Sequence, residues 1–432
     1  MAGFRTWIDS KFLTDTAWNY AAFAIMAATG VILNFFIAMR FGIETLGVFN
    51  QIYAVFVVTG QLAAFGLHDS AQVHNAEHID TPERLGVVSA AALWLAFGFG
   101  LLTAIMVFAL SGPIGRLADS PAVGLGIAFA APGLLFFALN KVLMGILNGR
   151  RRMKAFAAAQ AFRVTAILIA CLTIAALGLP GHVLGLSFSI AEIALLPGLY
   201  YVLRPALVDF AERGEFKTWI GHHLRFGSRA LANGFLAESY IRIDILMLAV
   251  FVSDKDVGIY SFAALFIEGL YQIPVVVRTI ANPVLVRLLI AGDRSETVRF
   301  ARKSALLSFG VFVIAAAAVL FIYPYLGPYF PAGLVADSYL VLMILVGGLT
   351  VYSAFIPVDH ALLQAGQPGR QSLLMSANVL ANIALNFSLI PFFGISGAAA
   401  ATAAAFVFSS LSVNGAARKW LGFERGLVFT RI

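Results

Sequence analysis

Polar side chains follow one face of the hydrophobic segment 258–287, which otherwise consists largely of Phe, Leu, Ile, Val and Ala. In a membrane, such a stripe has to face a water-filled cavity or a polar partner, because a charge in hydrocarbon is costly. The stripe therefore indicates a transport protein. At 100° per residue its members share an arc of roughly 120°, and they are Tyr260, Ser261, Glu268, Tyr271, Gln272, Arg278 and Asn282.

The hydrophobic segment 224–252 carries three charges within seven residues, namely Glu238, Arg242 and Asp244. Each charge near the bilayer centre costs about 2.5–3.5 kcal/mol. Glu238 and Arg242 are four residues apart, so they lie on one helix face within reach of each other. The cluster predicts a substrate or coupling-ion site, and the alternative is an internal salt bridge that fixes helix packing. Asp244 lies on roughly the opposite face, which is more typical of a structural partner between helices.

The composition identifies the solvent of most of the chain as lipid. Hydrophobic residues make up 60% of the sequence and charged residues 12%, against about 25% charged residues in soluble domains. The mean hydropathy is +0.89. Apolar runs of membrane-spanning length recur throughout, so we predict an all-α multi-pass membrane protein. The net charge of +7 lies in the connections between these runs and does not suggest a nucleic-acid partner.

The chain contains about twelve predicted spans. Alternate connections differ in charge, because the basic residues concentrate on one side and only Arg40, Arg116 and Lys255 fall on the other. The positive-inside rule then puts both termini in the cytoplasm. The first span, with no cleavable signal before it, is expected to direct insertion. The spans lie near residues 16–39, 45–67, 85–110, 121–147, 155–178, 181–203, 224–252, 257–286, 300–323, 334–362, 370–391 and 393–416.

An internal repeat divides the chain. The stretch that begins at Phe41 is similar to the one that begins at Phe251, so that Gly47 aligns with Gly258 at an offset of 211 residues. We predict two six-helix lobes in the same orientation, residues 1–210 and 211–432. Parallel repeats of this kind form transport sites between the lobes. Asn50 and Gln61 share one face of the second span, and Gln61 aligns with Gln272, which favours a central cavity.

Signals for enzymatic chemistry are weak. His74, Glu77 and His78 match the H-x-x-E-H pattern of a zinc peptidase family. We expect them in a short loop between spans, without room for a peptidase domain. The chain has no phosphate-binding loop of the G-x-x-x-x-G-K-[ST] type. We therefore predict neither an enzyme nor a metal or cofactor site.

Three stretches carry a family pattern. The first is ILNFFIAMRFGIETLGVFNQIYAV, and the second is RIDILMLAVFVSDKDVGIYSFAALF, which contains Asp244, Gly258 and Tyr260. The third begins ALLQAGQPGRQ and includes Pro391 and Gly394, two residues that interrupt helices. Together they resemble the O-antigen type oligosaccharide flippases of bacteria, a branch of the multidrug/oligosaccharidyl-lipid/polysaccharide exporter superfamily. The resemblance extends over nearly the whole chain.

The resemblance implies a V-shaped, exporter-like fold that alternates between inward-open and outward-open cavities. It also implies a substrate, an oligosaccharide on undecaprenyl diphosphate. This substrate would move from the cytoplasmic to the periplasmic leaflet of the inner membrane during synthesis of lipopolysaccharide, capsule or exopolysaccharide. Membrane lipids and polysaccharide polymerases are the expected partners, and a monomer is the expected state.

The resemblance, taken with the polar faces, implies cationic and polar residues for substrate binding. The substrate-binding residues expected in this way are Arg242, Arg278, Gln272, Gln61, Asn50 and Arg40. Na⁺ or H⁺ is a possible coupling ion, for which Glu238, Glu268 and Asp244 are the expected residues. Alternatively, the membrane potential alone drives the outward movement of an anion.

Other functions remain open at this point. A multidrug and toxin extrusion type cation antiporter would share the helices and lobes, but carboxylates rather than Arg242 and Arg278 should dominate its cavity. A peptidoglycan-precursor flippase usually has two further C-terminal helices. A membrane scaffold would not need polar faces on equivalent helices.

Overall fold

The structure is a computed structural model, and it describes residues 10–203, 213–424 and 426–428. Every regular element in these residues is a helix, which confirms the all-α prediction. The chain divides into two compact units. The first comprises Met1–Phe41 and Val48–Glu238, and the second comprises Gly42–Gly47 and Ser239–Ile432. The division into lobes at residue 210 stays a prediction.

Nine α-helices begin before residue 239. They are α1 (Ser10–Phe41), α2 (Ile43–Ala64), α3 (Leu67–Glu77), α4 (Pro82–Leu117), α5 (Pro121–Ala130), α6 (Gly133–Gly149), α7 (Met153–Ala176), α8 (Leu186–Leu203) and α9 (Arg213–Phe251). The remaining helices are α10 (Asp254–Ala291), α11 (Arg294–Ile322), α12 (Leu334–Ser353), α13 (Ala361–Gln364) and α14 (Pro368–Leu421). A 3₁₀ turn at Gly181–Gly185 leads into α8, another at Tyr323–Tyr329 follows α11, and a third at Ile356–Val358 precedes α13.

Local chemistry sets many helix ends. The hydroxyl of Ser253 accepts a hydrogen bond from the backbone N–H of Asp256 at the start of α10. Asp293 caps α11 in the same way, because the N–H of Glu296 donates to its carboxylate at 3.0 Å. That bond, with a hydroxyl bond from Ser295, lowers the pKa of Asp293. Side-chain caps therefore satisfy backbone donors that the helix itself leaves unpaired.

Nine helices in the described residues are long and apolar enough to cross a membrane, and the bent pair α5–α6 would make ten. The shortfall from about twelve has two physical causes. Helix α9 carries too many charges for a purely apolar span. Helix α14 has 54 residues but is broken at Gly394, where φ is 54° and ψ is −132°. This backbone region is nearly confined to glycine. The count of about twelve spans stays a prediction.

The expected loop at residues 74–78 is wrong, because His74 and Glu77 lie on α3 and His78 follows its last turn. The chain continues as a helix after a break at Phe65 and Gly66, both of which have positive φ. The predicted span 334–362 is also too long, since α12 ends at Ser353. In the described residues no group of three or more His, Cys, Asp and Glu side chains could hold a metal ion.

The two glycines that the repeat aligns lie against each other. A β-carbon at Gly47 would overlap the carbonyl oxygen of Asp254, and one at Gly258 would overlap the carbonyl oxygen of Ile43. The first turns of α2 and α10 therefore pack backbone against backbone. Small residues permit this close approach in membrane proteins. The repeat thus marks a real contact between equivalent helices.

The first unit is held together by aromatic and polar contacts. Phe188 of α8 stacks on Phe49, Tyr53 and Phe56 of α2 at ring distances of 5.3, 5.6 and 5.1 Å. Beside this stack, Arg163 lies 2.6 Å from the carboxylate of the buried Glu192. Arg163 and Glu192 therefore form an ion pair inside the first unit.

Candidate functional site

The buried carboxylate of Asp244 is the centre of a polar cluster in the second unit. It accepts hydrogen bonds from Tyr260 at 3.0 Å, Thr402 at 2.6 Å and Asn386 at 2.8 Å. Asn386 also donates to the side chain of Asn382 one helical turn earlier. We call these five residues the Asp244 cluster. They join α9, α10 and both halves of α14 around one negative charge.

The Asp244 cluster has the chemistry of a small cation site. Its side chains offer carboxylate, amide and hydroxyl oxygens, which are the donors preferred by hard cations. Among the described residues Asp244 belongs to no ion pair, and Oδ1 of Asn386 is buried without a hydrogen-bond donor. A bound cation would balance the charge of Asp244 and coordinate Oδ1 of Asn386. A proton on Asp244 would instead remove the charge.

A cavity of about 280 Å³ opens beside the cluster. The predicted stripe of α10 forms one wall through Tyr260, Glu268, Tyr271 and Gln272. Ser261 belongs to the same stripe but is buried and does not line the cavity. The full lining comprises Arg242, Asp244, Ile245, Tyr260, Ala264, Ile267, Glu268, Tyr271, Gln272, Leu345, Asn382, Thr402 and Phe406.

Arg242 faces this cavity as half of an ion pair. Its Nη1 atom lies 2.8 Å from Oε1 of Glu268. The Arg242 side chain is 13% exposed, whereas the Glu268 side chain is 43% exposed. Glu238 was the partner suggested by spacing, and its side chain lies outside the described part of the chain. Sequence reasoning therefore selected Arg242, which lines this cavity, but did not identify Glu268 as its ion-pair partner.

Arg278 belongs to a second polar network, which reaches the cavity wall through an interaction of Arg278 with Tyr271. Its Nη1 atom lies 3.0 Å from Oδ2 of the buried Asp359, and the hydroxyl of Tyr352 donates to the same oxygen at 3.2 Å. The Asp359 backbone carbonyl accepts a hydrogen bond from Gln371 at 3.1 Å. None of these residues lines the cavity of Arg242. The interruption after α12 positions Asp359, because the chain turns there through the Ile356–Val358 segment.

The other predicted binding residues lie in the first unit. Asn50 is buried and donates to Oδ1 of Asn34 at 3.3 Å. Gln61 is also buried and accepts a hydrogen bond from Lys141 at 3.0 Å. Arg40 is exposed in the last turn of α1, with its guanidinium 5.8 Å from the ring centre of Phe41.

Sequence reasoning missed Lys141, Asn382, Asn386 and Thr402. The signal for Lys141 was available, since it is a single charge in the apolar stretch GLLFFALNKVLMG. Asn382 and Asn386 are four residues apart and therefore share a helix face. Their proximity to Asp244 could not be foreseen, because 142 residues separate Asn386 from Asp244.

A family model described as polysaccharide biosynthesis protein matches residues 87–327, which is more than half of the chain. The chain belongs to this family. The match covers parts of both units and confirms the resemblance inferred from the sequence. No curated protein sequence matches significantly.

Solved structures with the same fold include lipid II flippase MurJ in an inward-closed conformation. It is 16% identical, with 93% of this chain and 87% of that chain covered and a TM-score of 0.75. An inward-facing multidrug resistance MATE transporter is 16% identical, and the alignment covers 89% of this chain and 92% of that chain with a TM-score of 0.70. A MOP superfamily transporter from Pyrococcus furiosus is 15% identical, and the alignment covers 92% of this chain and 94% of that chain with a TM-score of 0.60.

These likenesses identify the fold as that of the exporter superfamily. The recurrent apolar helices and this fold indicate a multi-pass membrane protein.

Proposed function

We propose that the protein moves a lipid-diphosphate-linked oligosaccharide from the cytoplasmic to the periplasmic leaflet of the bacterial inner membrane. The oligosaccharide serves polysaccharide synthesis, and undecaprenyl is the lipid. Two lobes with alternating access carry out the movement. The main support is Arg242, a cation held at a cavity inside a chain of the polysaccharide biosynthesis family.

An arginine suits a diphosphate because its planar guanidinium forms paired hydrogen bonds with phosphate oxygens. Arg242 is already charged and oriented by Glu268. The greater exposure of Glu268 leaves this carboxylate able to turn away when a stronger anion arrives. Arg278, paired with Asp359, supplies a second such cation. The substrate anion is proposed to replace a carboxylate at each arginine in turn.

Coupling to a cation is proposed at the Asp244 cluster. A membrane potential that is negative inside favours outward movement of an anion by about 2.3 kcal/mol per charge per 100 mV. Arginines that move with the substrate would cancel this advantage. Na⁺ or H⁺ entering at Asp244 would restore a driving force, with Glu268 and Glu238 as further charge-balancing groups.

The test is a flipping assay in liposomes with undecaprenyl-diphosphate-linked oligosaccharide from the producing organism. An enzyme that reaches only the outer face reports leaflet exposure. Hydrogen bonds to charged groups contribute about 1.5–3 kcal/mol. We therefore expect Arg242→Gln to slow flipping roughly ten- to hundredfold, with Arg278→Gln acting similarly.

A double variant separates binding from structural pairing. The double variant Arg242→Gln/Glu268→Gln leaves no net charge at the pair but lacks the cation. It should therefore flip the substrate as slowly as Arg242→Gln alone. Arg299→Gln is the matched control, because Arg299 pairs with Glu296 on the exposed start of α11. Restored flipping in the double variant would mean that the ion pair is structural only. No flipping by folded wild type, with or without a potential, would reject the lipid-linked substrate.

A second candidate function is cation-coupled export of a small molecule, as the multidrug and toxin extrusion type performs. The observation that favours it is the buried carboxylate of the Asp244 cluster beside a cavity of only about 280 Å³. Uptake of a fluorescent organic cation in the same liposomes, driven by a Na⁺ or H⁺ gradient, distinguishes the two. The peptidoglycan-precursor branch is tested by lipid II in the flipping assay.

A further inference from the structure

A larger cavity, of about 640 Å³, lies in the second unit where several helices end. Its lining comes from the end of α10, the start of α11, α13, the turn between α13 and α14, and the end of α14. It shares no lining residue with the cavity beside the Asp244 cluster. Volumes of roughly 300–1,000 Å³ are typical of small-molecule sites. This cavity has no part in the transport function proposed above.

One cation lines the cavity, and two more contact a residue of its lining. Arg294 lines it directly. Arg370 and Lys419 stack on the indole of Trp420, another lining residue, with distances of 5.8 and 5.7 Å to the ring centre. The guanidinium of Arg294 reaches the end of α14 beside Gly422. The cavity thus combines a positive rim with an apolar interior that includes Leu289, Leu363 and Phe423.

The positions of two of these cations are not favoured by their own helices. Arg294 is the first residue of α11, and Arg370 lies in the first turn of α14. The start of a helix is the positive end of its dipole, where anions rather than cations are stabilised. Within the described residues Arg294 has no hydrogen-bond or ion-pair partner. The neighbouring carboxylate of Asp293 is instead bonded to Glu296 and Ser295.

The location points to the membrane–water boundary. Lining residues from α10, α11 and α14 lie at the ends of helices that are long and apolar enough to span a membrane. Tryptophan, here Trp420, is enriched at this depth. Basic pockets between helices at the boundary bind phosphate headgroups of anionic lipids. A free phosphate ion would satisfy the cations but leave the apolar lining in contact with water. A headgroup attached to acyl chains satisfies both.

We propose that this cavity binds the headgroup of an anionic phospholipid. Arg294, Arg370 and Lys419 contact the phosphate, and the apolar lining contacts the first carbons of the acyl chains. Trp420 orients two of the cations through their contacts with its ring. This inference is independent of which substrate the transporter carries.

The test measures the melting temperature of the full chain in a neutral maltoside detergent. Dioleoyl phosphatidylglycerol, dioleoyl phosphatidylcholine, glycerol 3-phosphate and inorganic phosphate are added in separate arms. We expect phosphatidylglycerol to raise the melting temperature by several degrees and the other three additives to have little effect. Equal shifts with the two lipids would overturn the proposal. An equal shift with inorganic phosphate would identify an adventitious anion site instead and would also overturn it.

Charge-matched variants locate the binding. Substituting Arg294, Arg370 and Lys419 together by glutamine should abolish most of the phosphatidylglycerol shift. The control substitutes Arg299, Arg302 and Lys303 by glutamine, removing the same charge from α11 without touching the cavity lining, and it should keep the shift. If the triple variant does not fold, Arg294→Gln and Arg299→Gln are compared by native mass spectrometry of bound phosphatidylglycerol. Equal lipid retention by these two variants would refute the site.

Discussion

Charged residues inside the membrane occur here in two environments. Arg242, Arg278 and Arg163 each lie within 3.0 Å of a carboxylate oxygen, so their charges are locally neutralised. Asp244 is surrounded by hydroxyl and amide groups and has no ion pair among the described residues. Burying an uncompensated charge is expensive. Occupancy of the Asp244 cluster by a cation or proton would therefore offset the energetic cost of this buried charge.

The substitution Asp244→Asn tests this at the residue scale. If Na⁺ binds there, wild type should melt at a higher temperature in NaCl than in choline chloride. At a concentration 100 times Kd the stabilisation is about 2.7 kcal/mol. The variant keeps the shape but loses the charge, so it should not respond to Na⁺. In choline chloride it should be at least as stable as wild type, because a buried unpaired charge has been removed.

Asp337→Asn is the matched control, because Asp337 is an exposed carboxylate in the first turn of α12. It should respond to Na⁺ as wild type does. If Na⁺ still raises the melting temperature of Asp244→Asn, the ion binds at another site. If neither protein responds to Na⁺, a proton remains the coupling ion, and proton-driven transport in liposomes should then depend on Asp244.

At the scale of elements, the repeat-related helices α2 and α10 meet at Gly47 and Gly258. Neither position has room for a β-carbon, since backbone atoms of the opposite helix occupy the space. The same two helices carry Gln61 and Gln272, which the repeat aligns. The contact therefore joins the starts of two helices that the repeat makes equivalent.

Gly258→Ala should destabilise the protein, because the new methyl group would overlap the carbonyl oxygen of Ile43. Overpacking typically costs about 1–3 kcal/mol. Gly269→Ala is the control on the same helix, because its β-carbon would meet open space. Alanine is the better helix former, so the control should melt at or above the wild-type temperature. Equal melting temperatures of the two variants would show that α2 and α10 do not pack this closely.

Across the whole molecule, orientation in the membrane stays a prediction from the distribution of basic residues. Cys171 is the single cysteine of the chain and is buried, so Cys171→Ala gives a background for labelling. In this background, Lys255→Cys should react with a membrane-impermeant maleimide added to intact spheroplasts of the inner membrane. Ser295→Cys should react only after permeabilisation.

Both positions are exposed in the structure, and they lie at opposite ends of α10, Lys255 in its first turn and Ser295 in the first turn of α11. Each variant therefore serves as the control of the other. The opposite labelling pattern would put the termini outside and invert the proposed direction of transport. Labelling of both positions in intact spheroplasts would mean that α10 does not cross the membrane.

The sequence by itself determined that most of the chain lies in lipid, that the fold is all-α, and to which family the chain belongs. Composition and recurrent apolar runs need no tertiary information, because the cost of burying polar groups in lipid acts on each segment separately. The same reasoning selected Arg242, Glu268 and Gln272, since periodicity reports which face of a helix is polar. The spacing of Gly47 and Gly258 likewise predicted equivalent helices before their contact was known.

Only the tertiary structure decided the partners. Arg242 pairs with Glu268 of α10, and Arg278 pairs with Asp359, 81 residues further along the chain. The Asp244 cluster combines residues of α9, α10 and α14. Helical periodicity describes the faces of one helix but not which face of another helix packs against it. Contacts between distant helices depend on the packing of the whole unit, which no local pattern in the sequence specifies.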